Sequence, residues 1–277
     1  MNRRDIFYHR DTEQGREKTR GIINTKRPVL ISVIQYQEEL KAGTLTVLDL
    51  IDKLQGLGVD GIELRRELWP DYAHQLLAVK ERIAAVGKLV TYATFSTLFS
   101  PDAVAHKLLL HDLDTAKALG SPLLRVFPGA APADTTDAKW TGAIEAVAHA
   151  TSLGVVIALE NWGKLPGGLL SEMTHILNHI PSPTLKVNVD IGNYATHGED
   201  VLDAIEVLGE RVVYAHLKDN AGEKSDDTTY LGGGQSPMRE IMTALNALPQ
   251  RVIYCFEFVG GGEPDARIAK SLAYLRE

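Results

Sequence analysis

The chain has 277 residues, 44% of them hydrophobic and 23% charged, a globular composition with length enough for a large core. No apolar run approaches the ~18 residues that would cross a bilayer, the polar N-terminus has no signal-type apolar stretch, and Cys255 as sole cysteine excludes an intrachain disulfide, so a cytoplasmic protein with no membrane partner is expected. The formal charge is −7, but residues 1–27 carry +4, which leaves an acidic body of −11 that repels a phosphate backbone and argues against nucleic acid as a partner. Residues 1–27 read as a polar, basic N-terminal extension, solvated or clasping another subunit, and residues 28–277 as one domain.

After Pro28, short apolar runs alternate with amphipathic stretches. Strands are predicted at 29–34, 59–64, 88–94, 123–127, 155–160, 185–190, 212–218 and 252–258. Helices fall between them, near 44–56, 71–86, 102–119, 137–152, 170–179, 199–208, 236–247 and 264–275. In VLDLIDKLQGLG, Val47, Leu50, Ile51 and Leu54 share one helical face. Gly58, Gly87, Gly120 and Gly154 follow helices as left-handed C-caps, and Pro101-Asp102 and Ser236-Pro237 look like helix starts. Strands apolar at nearly every position imply a parallel sheet covered by helices. Eight repeats favour closure into a (β/α)8 TIM barrel over an open doubly wound sheet.

The last four strands each end in a residue that binds metals: ALE at Glu160, KVNVD at Asp190, VVYAH at His216 and IYCFE at Glu257. In a closed parallel barrel these side chains meet at the C-terminal mouth, where barrel enzymes keep their chemistry. Three carboxylates and an imidazole there carry about −3, which one divalent cation largely balances. Hard oxygen ligands favour Mn²⁺ or Mg²⁺, with Co²⁺ or Zn²⁺ also able to bind. Residues i, i+2 and i+4 share a strand face, so His216 is joined by Tyr214 and Lys218, and Glu257 by Cys255.

The segments DGIELR (60–65), ALENW (158–162), VNVDIGN (187–193), YAHLKDN (214–220), LGGGQSP (231–237) and CFEF (255–258) resemble, in this order and spacing, the xylose isomerase-like barrel superfamily. The nearest resemblance is to its sugar phosphate isomerase/epimerase group, which includes ketose 3-epimerases, hydroxypyruvate isomerase and inosose dehydratase. The resemblance implies that Glu160, Asp190, His216 and Glu257 hold the metal and that Glu160 and Glu257 exchange protons with the substrate. The expected activity is isomerisation or epimerisation of a small ketose, keto-sugar or related polyol by proton transfer through an enediolate that the ion stabilises. The alternative on the same scaffold is a metal-dependent dehydratase. A non-catalytic sugar-binding accessory protein and an endonuclease IV-like phosphodiesterase are the remaining readings, the last lacking the additional histidines its zinc cluster needs.

The ketose epimerases carry a histidine three residues after the sixth-strand aspartate, where this chain has Asn193, and His197 is too far along to replace it. Asn193 can still hydrogen-bond a substrate hydroxyl. Further substrate-binding candidates are Glu63, which binds a hydroxyl, orients another side chain or pairs with an arginine such as Arg65; Lys218, for a carbonyl or carboxylate; Trp162, as a wall for a sugar face or plain packing; and Arg125, for an anionic substrate or a neighbouring carboxylate. The glycine runs 232–234 and 260–262 read as a lid, a close backbone approach or plain turns, and neither is a P-loop. A sugar or keto-sugar is the expected small-molecule partner, and a homo-oligomer the expected assembly.

Overall fold

The computed structural model describes residues 27–222, 227–259 and 262–277, so all but the last residue of the 1–27 extension lies outside the described residues. Eight parallel strands close into a barrel: β1 (Val29–Ser32), β2 (Gly61–Arg65), β3 (Leu89–Phe99), β4 (Leu123–Gly129), β5 (Val156–Glu160), β6 (Leu185–Asp190), β7 (Val212–Leu217) and β8 (Ile253–Phe256), with β8 hydrogen-bonded back to β1. The closed sheet leaves no barrel edge unpaired. Around it run α1 (Gln37–Ala42), α2 (Val47–Leu57), α3 (Tyr72–Val86), α4 (Ala103–Leu119), α5 (Ala138–Leu153), α6 (Leu170–His179), α7 (Ile191–Thr196), α8 (Val201–Leu208), α9 (Met238–Ala247) and α10 (Pro264–Tyr274). Among the described residues, no helix is long and apolar enough to cross a membrane.

Local chemistry sets the boundaries. The Thr46 hydroxyl accepts the Asp49 N–H while the Asp49 carboxylate accepts the Thr46 N–H, a reciprocal cap that starts α2. Val47, Leu50, Ile51 and Leu54 then bury one face of α2 against the barrel. Asp102 caps α4 by accepting from the Val104 and Ala105 amides at 2.9 Å. The glycines read as C-caps do have positive φ, between 65° and 86°.

Three features depart from the sequence reading. The third strand runs to Phe99 rather than stopping near 94, because a register shift between Ala93 and Thr97 inserts a bulge and lets pairing with β4 resume. The short helices α1 and α7 have six residues each, too few for a periodic signal. An additional antiparallel ribbon, Asp219–Asn220 against Thr228–Thr229, follows β7.

The core lies in two places. A large cluster fills the space between strands and helices, and a smaller one inside the barrel joins Leu30, Leu123, Ala158, Tyr214 and Cys255 from five strands. Burying each large side chain of this kind is worth about 1.5–3 kcal/mol. That inner layer is the floor on which the site stands.

Candidate active site

One pleat above the floor the barrel interior turns polar. Because alternate residues share a face, Leu123 is followed by Arg125, Ala158 by Glu160, Tyr214 by His216 and Cys255 by Glu257. Register brings the strand ends level: Glu160 pairs with Asn188, and Asp190 with His216. Glu160, Asp190, His216 and Glu257 are all buried, and one ligand atom from each lies within 4.8 Å of the other three. The set expected from the ends of the last four strands is therefore brought together.

His216 is the hub. Its Nε2 is hydrogen-bonded to Glu63 Oε2 at 2.8 Å. Its Nδ1 faces Glu160 Oε2 at 3.0 Å, Glu257 Oε1 at 3.6 Å and Asp190 Oδ2 at 3.7 Å, none of them in hydrogen-bonding alignment. Each glutamate has its own cationic and amide supports. Arg125 Nε lies 3.0 Å from Glu160 Oε2, which also accepts from Asn188 Nδ2 at 2.8 Å. Glu257 accepts from Arg65 on Oε1 and from Lys218 Nζ on Oε2, the latter at 2.7 Å. Lys218 Nζ is also 2.7 Å from Asp190 Oδ2, an ion-pair contact too poorly aligned to be a hydrogen bond.

Adding Glu63 and three cations changes the balance expected from the sequence. Four carboxylates face Arg65, Arg125 and Lys218, a net of −1 before His216 is counted. Burial raises the Glu257 carboxyl, but Lys218, Arg65 and His216 outweigh it and hold the group well below the usual carboxylate range. Glu160 is likewise lowered, burial being overcome by Arg125 and His216. For Asp190 burial wins, and its carboxyl is raised in spite of Lys218. Burial pushes the His216 imidazole down, yet Glu63, Glu257 and Glu160 together keep it well above its ordinary value.

This donor set fits a divalent cation. Hard carboxylate oxygens and one imidazole nitrogen match such ions, and the cluster contains two buried polar atoms, His216 Nδ1 and Asp190 Oδ2, with no hydrogen-bond partner. Buried polar atoms are seldom left so, and a cation would satisfy both. Among the described residues the other group able to hold a metal, Glu63, His216 and Cys255, shares His216 with this cluster and is not a separate centre.

The other candidates fall in different places. Lys218 and Arg125 are inside the cluster as described. Glu63 has no exposed surface, and it both pairs with Arg65 and holds another side chain, His216, two of the roles the sequence offered for it. Asn193, in the first turn of α7, ties that helix to the end of β6 and to the residue after β5: its N–H donates to Asp190 Oδ1 and its Nδ2 to the Asn161 carbonyl. His197 does not reach the cluster, packing instead against Gly163. Trp162 lies 5.5 Å from the Phe127 ring, which stacks on Phe95 at 5.6 Å and lies under the Arg125 guanidinium at 4.9 Å. The β3 bulge turns Phe95 outward, 50% exposed, so an aromatic shelf runs from beside Glu160 to the rim.

Sequence reasoning missed the bridging role of Arg65, the support of Asn188, and the shelf residues Phe95 and Phe127. Parity was a usable signal for Asn188, two residues before Asp190. Gly192 has a clear reason for being glycine: a Cβ would stand 2.8 Å from Lys218 Cε. The glycine run 232–234 is a close backbone approach. The Asp219 carboxylate accepts the amides of Gly232, Gly234 and Ser236 at 3.0–3.1 Å, so the chain's own acid fills this nest. Residues 260 and 261 of the second glycine run lie outside the described residues.

A closed parallel barrel with an acid–imidazole cluster at its mouth defines the class, and comparison with known proteins gives the family. The family model described as xylose isomerase-like TIM barrel matches residues 51–277, and the chain belongs to this family. The 2-epi-5-epi-valiolone 7-phosphate 2-epimerase of Actinoplanes sp. is 31% identical over 215 residues, 71% of this chain and 76% of that protein. Fructoselysine 3-epimerase of Escherichia coli O157:H7 is 30% identical over 98 residues, 34% of this chain and 35% of that protein. These relatives are sugar epimerases. Among solved structures, L-ribulose 3-epimerase matches with TM-score 0.73 at 16% identity, covering 91% of this chain and 94% of that one. A probable 3-DHS dehydratase of petrobactin synthesis from Bacillus anthracis matches with TM-score 0.73 at 14% identity, covering 90% and 99%. At such identities the likeness is one of fold.

Proposed function

We propose that this chain is a divalent-metal-dependent isomerase or epimerase of a small ketose, keto-sugar or related polyol, with one Mn²⁺ or Mg²⁺ held by Glu160, Asp190, His216 and Glu257. The observation that carries the reading is the pair of buried glutamates in the cluster, at the ends of strands three places apart, Glu160 braced by Arg125 and Glu257 by Arg65 and Lys218. The sugar-epimerase relatives support it.

Held by Glu160, Asp190, His216 and Glu257, a divalent ion would supply the positive charge that polarises a substrate carbonyl and acidifies the neighbouring C–H. One glutamate takes that proton and the other returns one to the opposite face of the carbon. Asn188 and Arg125 fix the Glu160 carboxylate, while Arg65 and Lys218 fix Glu257, so neither needs to reorganise during transfer. Asp190 and His216 would help hold the ion and take no part in the proton transfer. The Trp162–Phe127–Phe95 shelf offers apolar area to the C–H face of the substrate and shields this side from water.

A dehydratase would use the same first step, with the Lys218 ammonium placed to give a proton to a departing hydroxyl. The test is incubation with Mn²⁺ and a panel of ketoses, keto-sugars and cyclic polyol ketones in D₂O. The reading expects deuterium at one carbon of a product of unchanged composition. Loss of water transfers the case to the dehydratase, and no exchange with any substrate contradicts both.

A further inference from the structure

We infer that Glu63 is a positioning residue that locks the tautomer of His216, keeping the proton on Nε2 and leaving Nδ1 bare for the ion, and that through Arg65 the same carboxylate sets the orientation of Glu257. The inference rests on the metal reading above.

Glu63 lies on β2, a strand that contributes nothing to the four-residue cluster, and it has no exposed surface. Both of its oxygens are engaged. Oε1 accepts from Arg65 Nε at 3.0 Å, and Oε2 from the Tyr214 hydroxyl at 3.0 Å and His216 Nε2 at 2.8 Å. An ionised carboxylate only accepts, so the nitrogen facing it must carry hydrogen, and a neutral imidazole has one such nitrogen. With a cation among the carboxylate oxygens of Glu160, Asp190 and Glu257 the ring would be neutral, and Nδ1, which faces those oxygens, would be the nitrogen left without hydrogen. The Tyr214 hydroxyl is held in turn by Thr91 Oγ1 at 2.9 Å. With Tyr214 donating to Glu63, Thr91 is the donor to Tyr214, and the chain of hydrogen bonds has one direction.

Arg65 carries the same constraint to the other side. Its Nε is bound to Glu63 and its Nη2 to Glu257 Oε1. A planar guanidinium held at one nitrogen has little freedom at the others. One buried carboxylate on a strand without a ligand thus aims two of the four. Outer-shell groups of this kind commonly change metal affinity by about 10–100-fold when removed.

The test compares Glu63→Gln and Glu63→Asp with the parent. In the Gln variant Arg65 still claims the amide oxygen, turning the NH₂ toward His216 and forcing the proton onto Nδ1. The Asp variant keeps the charge opposite Arg65 but withdraws it from His216. Mn²⁺ titration followed by EPR of the free ion should give one site per chain in the parent and a Kd about 10–100-fold weaker in both variants. In Mg²⁺-loaded parent, ¹⁵N spectra of His216 should show hydrogen on Nε2. If Glu63→Gln does not fold, Glu63→Asp decides alone. An unchanged Kd in a folded variant, or hydrogen on Nδ1 in the parent, overturns the inference. A parent that binds no Mn²⁺ overturns the proposed function itself.

Discussion

At the scale of single residues, Glu160 and Glu257 are chemically alike but differently held, and this predicts separable defects. Glu160→Gln or Glu257→Gln should each lower kcat by about 10²–10⁴-fold, the usual contribution of a positioned acid or base. With one base left, each variant should still exchange solvent deuterium into one of the two epimers and not the other. Exchange into neither, or into both, would refute the division of labour. Phe95 offers a milder test. Its exposed ring should be worth about 1 kcal/mol to the substrate, so Phe95→Ala should raise KM roughly five-fold and leave kcat unchanged. The four cluster residues were legible because each ends an apolar strand with a group that cannot be left buried and unpaired. The Glu63–Arg65 pair was also legible, but the reach of Arg65 to Glu257 and of Asn188 to Glu160 was not, since a polar residue within a strand gives no sign of which distant side chain it meets. Phe95 was hidden because a bulge reverses the alternation that sequence reading depends on.

Secondary elements carry two further predictions. The Thr46 hydroxyl, then the Thr46 amide, hold the Asp49 carboxyl below its ordinary 3.8, so the cap of α2 stabilises the fold above that pH and is lost as pH falls through the depressed folded value. Asp49→Asn should therefore lower Tm at neutral pH, and the gap from the parent should close in acid; a gap independent of pH would contradict this account. In the loop before α9, Asp219→Ala removes the acceptor of three amides. Hydrogen exchange should lose protection at Gly232, Gly234 and Ser236 first, with about 2–3 kcal/mol lost from local stability. All eight strands were readable from apolar runs bounded by turn residues, and eight of the helices from periodicity and caps. The six-residue α1 and α7 and the two-residue ribbon are too short to have a period, and tertiary contacts decide them.

For the whole molecule, closure of the sheet is what turns four separated strand ends into one cluster. Such a cluster concentrates negative charge, which Arg65, Arg125 and Lys218 offset only in part. Binding of one cation to the folded state alone should therefore stabilise the protein by mass action, about 2.7 kcal/mol at a hundred times Kd. Thermal melts should rise with Mn²⁺ concentration and fall back on chelation. The barrel itself was legible from the count of repeats, whereas the substrate is not, because the shelf and the loops that shape the mouth follow from bulges and long-range packing. The most direct measurement of the central claim is anomalous scattering from a crystal grown with Mn²⁺. A single peak in contact with Glu160, Asp190, His216 and Glu257 is the predicted result; no peak there, or one bound by other residues, would contradict it.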